Sequence, residues 1–230
     1  MFDLADLSQR RELTRQVKLV SRLDHPHVAK LQGLFFHKAS NKDEAYLESA
    51  YYPNGTLGRY LARADVAAPR LPAPHAAVLD RASDKGAAGA LACLQQLLAG
   101  LAAVHALPAV HGDVKLANAL VAADGLVVLT DFDFASGGGA QGSVGGASSL
   151  LGAGTFLYMP PEVRRGQAAT AASDMFGWGL CALLAFVPEA AAAAAKALGP
   201  HPDAARLEAE VGRAAAALLA ADPALGALVQ

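Results

Sequence analysis

Apolar residues recur at three- and four-residue steps through residues 8–24, which is the spacing of one face of an α-helix. The side chains on that face are Leu13, Val17, Val20 and Leu23. An Asp-His-Pro-His run follows at residues 24–27. Proline ends a helix because it lacks an amide proton and restricts the residue before it. The pattern therefore predicts a helix over residues 8–24.

Two runs that are rich in aromatic and other apolar residues come next, at residues 28–36 and 45–52. Such runs are typical of β-strands. The polar stretch at residues 40–43 lies between them and predicts a turn. Pro-Asn-Gly at residues 53–55 predicts a second turn directly after the second strand.

The remainder of the chain is predicted to be mostly helical. Apolar residues at helical spacing predict helices over residues 89–107 and 173–187, and an Ala-rich helix is expected over residues 190–222. Within residues 110–133, two short strand signals flank an Asp-Gly pair at residues 124–125, which predicts a hairpin. The order of elements indicates an α+β chain with a small mixed lobe and a larger helical lobe.

Two stretches of biased composition interrupt these elements. Residues 61–88 are rich in Ala and Pro with scattered charges, which predicts an inserted loop. Residues 137–154 are rich in Gly and Ser, which predicts a second loop of high conformational freedom.

Composition narrows the classes of partner and compartment. Nineteen Lys and Arg against 21 Asp and Glu give a net charge of −2, so no electrostatic footprint for nucleic acid or an anionic membrane is expected. The most apolar stretch, residues 176–187, is too short to span a bilayer. Cys93 and Cys181 match no disulfide, metal or redox spacing, which favours a reducing compartment and a cytoplasmic location.

Two polar segments carry the strongest chemical signal. The sequence His-Gly-Asp-Val-Lys-Leu-Ala-Asn at residues 111–118 is followed, after the predicted hairpin, by Thr-Asp-Phe-Asp at residues 130–133. Together they resemble the catalytic loop of protein kinases and the metal-binding segment that follows it. The resemblance implies a protein-kinase-like two-lobe α+β fold. It also implies phosphoryl transfer, which depends on positioning and charge neutralisation.

The resemblance gives each polar residue of these segments a role. Asp113 would be the catalytic base that accepts or orients the substrate hydroxyl proton, and Lys115 would contact the transferring phosphate. Asn118 and Asp131 would bind Mg²⁺, so ATP and Mg²⁺ are the expected cofactors. A Lys two residues after the base is the pattern of serine/threonine kinases. The Leu-rich sequence with His-Gly-Asp resembles that of the tyrosine-kinase-like group of these kinases. Protein hydroxyls are therefore the expected substrate.

Further motifs follow in the order that the same family uses, from about residue 12 to residue 187. Residues 50–57 resemble the hinge that contacts adenine, which makes Tyr52 and Leu120 expected nucleotide contacts. Residues 154–162 resemble the substrate-side loop, and residues 173–179 the start of the central buried helix. The Asp of that helix, Asp174, is expected to hold the backbone of the catalytic loop. A stack of apolar and aromatic side chains is expected from Val20, Leu31, His111 and Phe132.

Other positions depart from the family pattern. Gln16 stands where the family has a Glu that pairs with a strand-borne Lys, and no Lys of this sequence has that context. We expect a small lobe over residues 1–57 that lacks its first strands and its Gly-rich lid, followed by a helical lobe over residues 58–230. Truncation explains this because the catalytic-loop residues are intact, whereas a non-catalytic pseudokinase is the alternative.

Three single-residue departures carry further expectations. Gly112 replaces the Arg that pairs with a phosphorylated activation loop, so activity is expected to be independent of such phosphorylation. Asp133 replaces a Gly, which would restrict flipping of Phe132 and add a carboxylate near the metal; a tolerated variant without functional effect is the alternative. Glu162 lacks the family's Arg partner, so it is expected to be unpaired or to pair with Arg206 or Arg213.

The sequence therefore indicates an ATP-dependent protein serine/threonine kinase. The alternative from another class is a kinase-shaped scaffold that binds a partner protein and binds nucleotide weakly or not at all. Chance similarity in a helical domain without a ligand would require all of the ordered motifs to be coincidental.

Overall fold

A computed structural model of the chain describes residues 2–39, 42–61, 85–133, 135–137 and 157–186, together with the isolated positions 209, 212, 213 and 216. The loops predicted over residues 61–88 and 137–154 therefore lie almost entirely outside the described residues, as does most of the helix predicted over residues 190–222. The described elements are an α+β arrangement of small sheets and several helices.

Helix α1 spans Leu7–Val20 and begins at an N-cap, Asp6, whose side chain accepts hydrogen bonds from the amides of Ser8 and Gln9. Leu13 and Gln16 are its buried residues. The predicted helix is confirmed, but it ends four residues earlier than the apolar spacing suggested.

Three antiparallel strands form the first sheet. Strands β1 (Phe2–Asp3), β2 (Leu31–Ala39) and β3 (Lys42–Ser49) lie in the order β1-β3-β2, and Leu34 pairs with Leu47. Both predicted strands are confirmed, each displaced by about three residues towards the turn that joins them. Strand β1 was not predicted because two residues are too few to show an alternating pattern.

Helices α2 (Leu57–Leu61), α3 (Lys85–Ala106), α4 (Pro161–Arg164) and α5 (Ala171–Phe186) follow. Helices α3 and α5 pack against each other, and the indole nitrogen of Trp178 donates a 3.0 Å hydrogen bond to the carbonyl of Leu94. The two helices predicted at residues 89–107 and 173–187 are thus confirmed, each starting two to four residues early.

Short strands lie between α3 and α4. Strand β4 (Ala109–Val110) pairs with β7 (Ser136–Gly137), and β5 (Ala119–Val121) pairs with β6 (Val127–Leu129). A 3₁₀ turn, Leu116–Asn118, precedes β5. The β5–β6 hairpin turns at Gly125, whose φ of +86° suits glycine, so the predicted Asp-Gly hairpin is confirmed.

Helix α3 contains an apolar stretch, Gly89–Ala106, that is long enough to cross a membrane by length and composition. Half of that stretch is buried inside the protein, and its Leu94, Leu97 and Leu101 side chains are fully buried. This is the arrangement of a core helix. In the sequence, residues 176–187 stood out as the most apolar stretch, and the longer stretch in α3 was missed.

One hydrophobic core joins the helices to the β5–β6 hairpin. The segment after α1 is held to this core because Ala29 donates to the carbonyl of Leu129 and Leu129 donates to the carbonyl of His27. Gly100 of α3 lies so close to the carbonyl of His27 that a Cβ there would clash with it. The core therefore fixes the hairpin end from which residues 130–133 leave. The predicted boundary between residues 57 and 58 stays a prediction.

Candidate active site

The loop at residues 111–118 is anchored by one buried carboxylate on α5. Asp174 is 1% exposed. Its two oxygens accept 2.8 Å hydrogen bonds from the backbone amides of His111 and Gly112. The contact that the resemblance implied for Asp174 is therefore confirmed. A buried carboxylate that accepts two amide protons fixes both position and direction of the loop backbone.

A third donor reaches the same carboxylate from α3. The Nε2 atom of His105 lies 2.8 Å from Oδ2 of Asp174. The two residues are 69 positions apart, so no local spacing could reveal the contact.

Close backbone packing holds the middle of the loop. A Cβ on Gly177 of α5 would lie 2.6 Å from the carbonyl oxygen of Val114, so only glycine permits this approach. Gly112 has a φ of +82°, a conformation that strains any residue with a side chain. The departure from Arg at this position therefore suits the backbone of the loop.

Three of the expected site residues meet in direct contact. Oδ2 of Asp113 accepts a 2.6 Å bond from the ammonium of Lys115 and a 2.9 Å bond from Nδ2 of Asn118. The Asp113 and Asn118 side chains are buried and Lys115 is half-buried. Among the described residues, the second oxygen of Asp113, Oδ1, has no protein partner. One face of the carboxylate is thus held while the other is able to accept a proton.

The ring of His111 joins this loop to residues 130–132. Its Nδ1 accepts from the amide of Asp113 at 3.2 Å, so Nε2 carries the proton donated to the carbonyl of Thr130 at 3.0 Å. The ring also packs edge-on against Phe132, with centroids 5.0 Å apart. The expected stack is thus present for these two residues, and Val20 packs against the same core.

Asp131 follows Thr130 in a left-handed backbone conformation, with a φ of +64°. Surrounding atoms remove part of its hydration and raise the pKa of its carboxyl group, although the side chain still opens to solvent. The negative charges of Asp133 and Asp113 raise the pKa of Asp131 further. A cation among these carboxylates would reverse that electrostatic cost.

The donor set fits Mg²⁺. Asn118 and Asp131 offer amide and carboxylate oxygens, which are the ligands that Mg²⁺ prefers. In the part of the chain that the structure describes, no three His, Cys, Asp or Glu side chains are grouped to hold a metal by themselves. This arrangement suits Mg²⁺, which is usually bound by one or two protein groups together with substrate phosphates.

The expected nucleotide contacts Tyr52 and Leu120 lie on adjoining segments. The residues around the turn are tied to β5, because the amide of Val121 donates to the carbonyl of Gly55 at 2.9 Å. Tyr52 is half-buried and lines a cavity of about 440 Å³ together with some of the residues between 24 and 30 and alternate residues from 122 to 128. That lining contains none of the residues from 111 to 118 and not Asp131. Adenine contact by Tyr52 and Leu120 stays a prediction.

Gln16 and Asp133, two of the departures from the family pattern, touch each other. Nε2 of Gln16 donates a 2.7 Å hydrogen bond to Oδ1 of Asp133. The sequence analysis identified both positions as separate departures, and their separation of 117 positions gave no sign of the contact.

Glu162 has a partner that the sequence did not suggest. Its Oε1 accepts a 2.9 Å hydrogen bond from the hydroxyl of the buried Ser173. Glu162 therefore has a hydrogen-bond partner, whereas an ion pair with Arg206 or Arg213 stays a prediction. Arg206 lies outside the described residues.

Comparison with known proteins agrees with this geometry. The family model of the protein kinase domain matches residues 3–195. Cytokinesis protein sepH of Emericella nidulans is 33% identical over 178 residues, which cover 76% of this chain and 11% of that protein. Serine/threonine-protein kinase PknA of Corynebacterium glutamicum is 36% identical over 91 residues, or 40% of this chain and 19% of that protein. Aurora kinase A-A of Xenopus laevis is 29% identical over 171 residues, which cover 74% of this chain and 35% of that protein. The chain thus spans only a small part of the length of these relatives.

Proposed function

Because the chain belongs to the protein kinase domain family, we propose that it transfers the terminal phosphate of Mg²⁺-bound ATP to serine or threonine hydroxyls of proteins. The observation that carries the proposal is the contact of Lys115 and Asn118 with a single oxygen of Asp113. Three relatives whose names describe serine/threonine-protein kinases support the choice of hydroxyl.

Asp113 is the base in this proposal. Lys115 and Asn118 fix its Oδ2, and Oδ1 accepts the proton of the substrate hydroxyl. The ammonium of Lys115 lies beside that carboxylate, where it also offsets negative charge on the transferring phosphate. Positioning and charge neutralisation account for most catalysis in this reaction class.

Asn118 and Asp131 hold Mg²⁺ in the proposal, and the ion neutralises charge on the phosphate oxygens. The buried amide of Asn118 is oriented because its Nδ2 donates to both the side chain and the backbone carbonyl of Asp113. The amide oxygen is then the atom left to bind the ion.

Transfer of radiolabelled terminal phosphate from ATP to a mixture of Ser, Thr and Tyr peptides tests the proposal. Asp113→Asn removes the base and should lower the rate by about 10²-fold or more. The exposed Asp24→Asn variant is the matched control and should keep the rate. Labelled phosphoserine or phosphothreonine supports the proposal. Label on tyrosine alone, or an unchanged rate in Asp113→Asn, contradicts it.

A non-catalytic scaffold is the second candidate. The contact between Gln16 and Asp133 favours it, because Gln16 stands in the place of the family's ion-pairing Glu. A scaffold predicts no phosphate transfer by the wild-type chain and no stabilisation by ATP with Mg²⁺.

A further inference from the structure

Helix α1 holds the segment after Asp131 through a buried amide. Gln16 is 4% exposed, and its Nε2 donates to Oδ1 of Asp133 at 2.7 Å and to Oε1 of Glu12 at 3.2 Å. Both protons of the Gln16 amide are therefore directed at carboxylate oxygens. Hydrogen bonds to a charged acceptor are about twice as strong as neutral ones.

The preceding residue of α1 holds the backbone of the same segment. Nη2 of Arg15 donates to the carbonyl of Asp133 at 2.8 Å and to both oxygens of Glu12 at 2.7 Å. Two adjacent residues of one helix thus hold the side chain and the main chain of Asp133. Glu12 joins the two donors from one turn earlier and keeps them oriented.

Asp133 lies two residues after Asp131, whose left-handed backbone needs support. A non-glycine residue with a φ of +64° persists only where the surrounding structure over-determines it. Phe132, 5% exposed and packed on His111, supplies one restraint directly after Asp131. The contacts of α1 with Asp133 supply a second restraint one residue further along.

We propose that Gln16 and Arg15 are positioning residues that set Asp131 for Mg²⁺, acting through Asp133. This inference rests on the proposed function. Gln16 donates to Asp133, which a Glu at that position could not do because both side chains would be carboxylates. The two departures from the family pattern therefore compensate each other and connect α1 to the metal-binding segment by a route that needs no Lys.

Exchanging the two side-chain groups tests the proposal. Gln16→Glu places a carboxylate against Asp133, whereas Gln16→Glu combined with Asp133→Asn restores an amide donor opposite a carboxylate acceptor. At fixed ATP, the Mg²⁺ concentration for half-maximal thermal stabilisation should rise about 3- to 10-fold in Gln16→Glu, the loss expected for one hydrogen bond to an acceptor that solvent also reaches. The double variant should recover at least part of that rise. Asp133→Asn alone keeps an acceptor oxygen for Gln16 but removes a negative charge beside Asp131, so it is the reference against which the double variant is compared.

Other outcomes overturn the proposal. Gln16→Glu with an unchanged or lower Mg²⁺ requirement would mean that the contact does not position Asp131. A double variant no better than Gln16→Glu would have the same meaning. Complete loss of the Mg²⁺ response in Asp133→Asn would make Asp133 a metal ligand instead.

Urea unfolding without nucleotide separates this proposal from the proposed function. The same three variants should show coupling between residues 16 and 133, with recovery of stability in the double variant. Residues 16 and 133 could show coupling while the wild-type chain is not stabilised by Mg²⁺ and ATP. The contact would then exist, but both the positioning role and the proposed function would be refuted. Absence of coupling would refute the positioning proposal alone, provided that the wild-type chain responds to Mg²⁺ and ATP.

Arg15 provides a second test on the same helix. Arg15→Ala should also raise the Mg²⁺ requirement, whereas Arg11→Ala, at an exposed position one turn earlier, should not. Equal effects of the two substitutions would contradict a specific role for Arg15.

Discussion

The loop at residues 111–118 and the contact between α1 and Asp133 hold two parts of the candidate site by different means. The loop is fixed from beneath by Asp174, which is 1% exposed and accepts two backbone amides at 2.8 Å. The α1 contact depends on the side chains of Gln16 and Arg15, and Asp133 itself is exposed. One side is therefore a buried backbone anchor and the other is a contact at the rim.

The difference shows which positions of the fold tolerate replacement. At the loop, any change leaves amide protons or a carboxylate buried without partners, which is costly. At the α1 contact, solvent reaches the exposed Asp133 and compensates partly for a lost partner there, whereas Gln16 is buried and depends on its carboxylate acceptors. The chain keeps the residues of the resembled catalytic loop at Asp113, Lys115 and Asn118. It departs from the pattern at Gly112, whose φ of +82° suits glycine, and at the contacting pair Gln16 and Asp133.

Breaking the buried anchor should give the largest effect. Asp174→Asn exchanges one accepting oxygen for a donor, which then faces a backbone amide, and should lower the free energy of unfolding by about 3 kcal/mol. Urea denaturation measures this loss. Asp24→Asn, at a side chain that is 90% exposed, is the control and should change stability little. Equal stability of the two variants would refute the anchor.

Filling the space between α5 and the loop should have the next largest effect. Gly177→Ala places a methyl group 2.6 Å from the carbonyl oxygen of Val114 and should cost about 1–3 kcal/mol through strain. Gly58→Ala on α2 meets only Leu116 at 3.4 Å, and alanine favours helix, so it should be neutral or stabilising. If Gly177→Ala proved as stable as Gly58→Ala, the close approach would not be a constraint.

Removing His105, the third donor to Asp174, separates its contribution to stability from that of the two backbone amides. His105→Ala deletes a 2.8 Å contact but leaves both backbone amides on Asp174, so the loss should be about 1 kcal/mol. Thermal denaturation should rank His105→Ala between wild type and Asp174→Asn. A loss as large as that of Asp174→Asn would mean that His105, and not the loop backbone, dominates the anchor.

The smallest effect is expected outside both regions. Lys30 pairs with Asp24 at 3.2 Å, and the two side chains are 74% and 90% exposed. Such surface pairs contribute about 0–1 kcal/mol, so Lys30→Ala should leave the unfolding midpoint nearly unchanged. A loss of stability as large as that of His105→Ala would mean that this exposed ion pair stabilises the chain as much as the buried contact of His105.

Features with a local cause were predictable from the sequence. Helix α1 follows from apolar spacing, and the β5–β6 hairpin follows from the Asp-Gly pair at residues 124–125. The contacts of Asp174 with the loop followed from the resemblance and are confirmed. The roles of Asp113, Lys115, Asn118 and Asp131 remain predictions, although the structure brings the first three into direct contact.

Features that depend on distant pairs were not predictable. Gln16 and Asp133 are 117 residues apart, and each was visible only as an isolated departure. The partner of Glu162, Ser173, was hidden because a short hydroxyl side chain carries no charge signal in the sequence. Strand β1 was missed because it has only two residues. In each case tertiary packing, and not local spacing, selects the partner.

Whether Asp131 belongs to a Mg²⁺–nucleotide site is tested most directly by thermal denaturation. The wild-type chain and Asp131→Asn are compared with ATP in the presence and absence of Mg²⁺. A ligand at about 100 times its Kd stabilises the folded state by about 2.7 kcal/mol. We expect a rise in the unfolding midpoint that requires both ATP and Mg²⁺ and disappears in Asp131→Asn. An equal response of the two proteins, or none in the wild-type chain, would contradict a Mg²⁺–nucleotide site at Asp131.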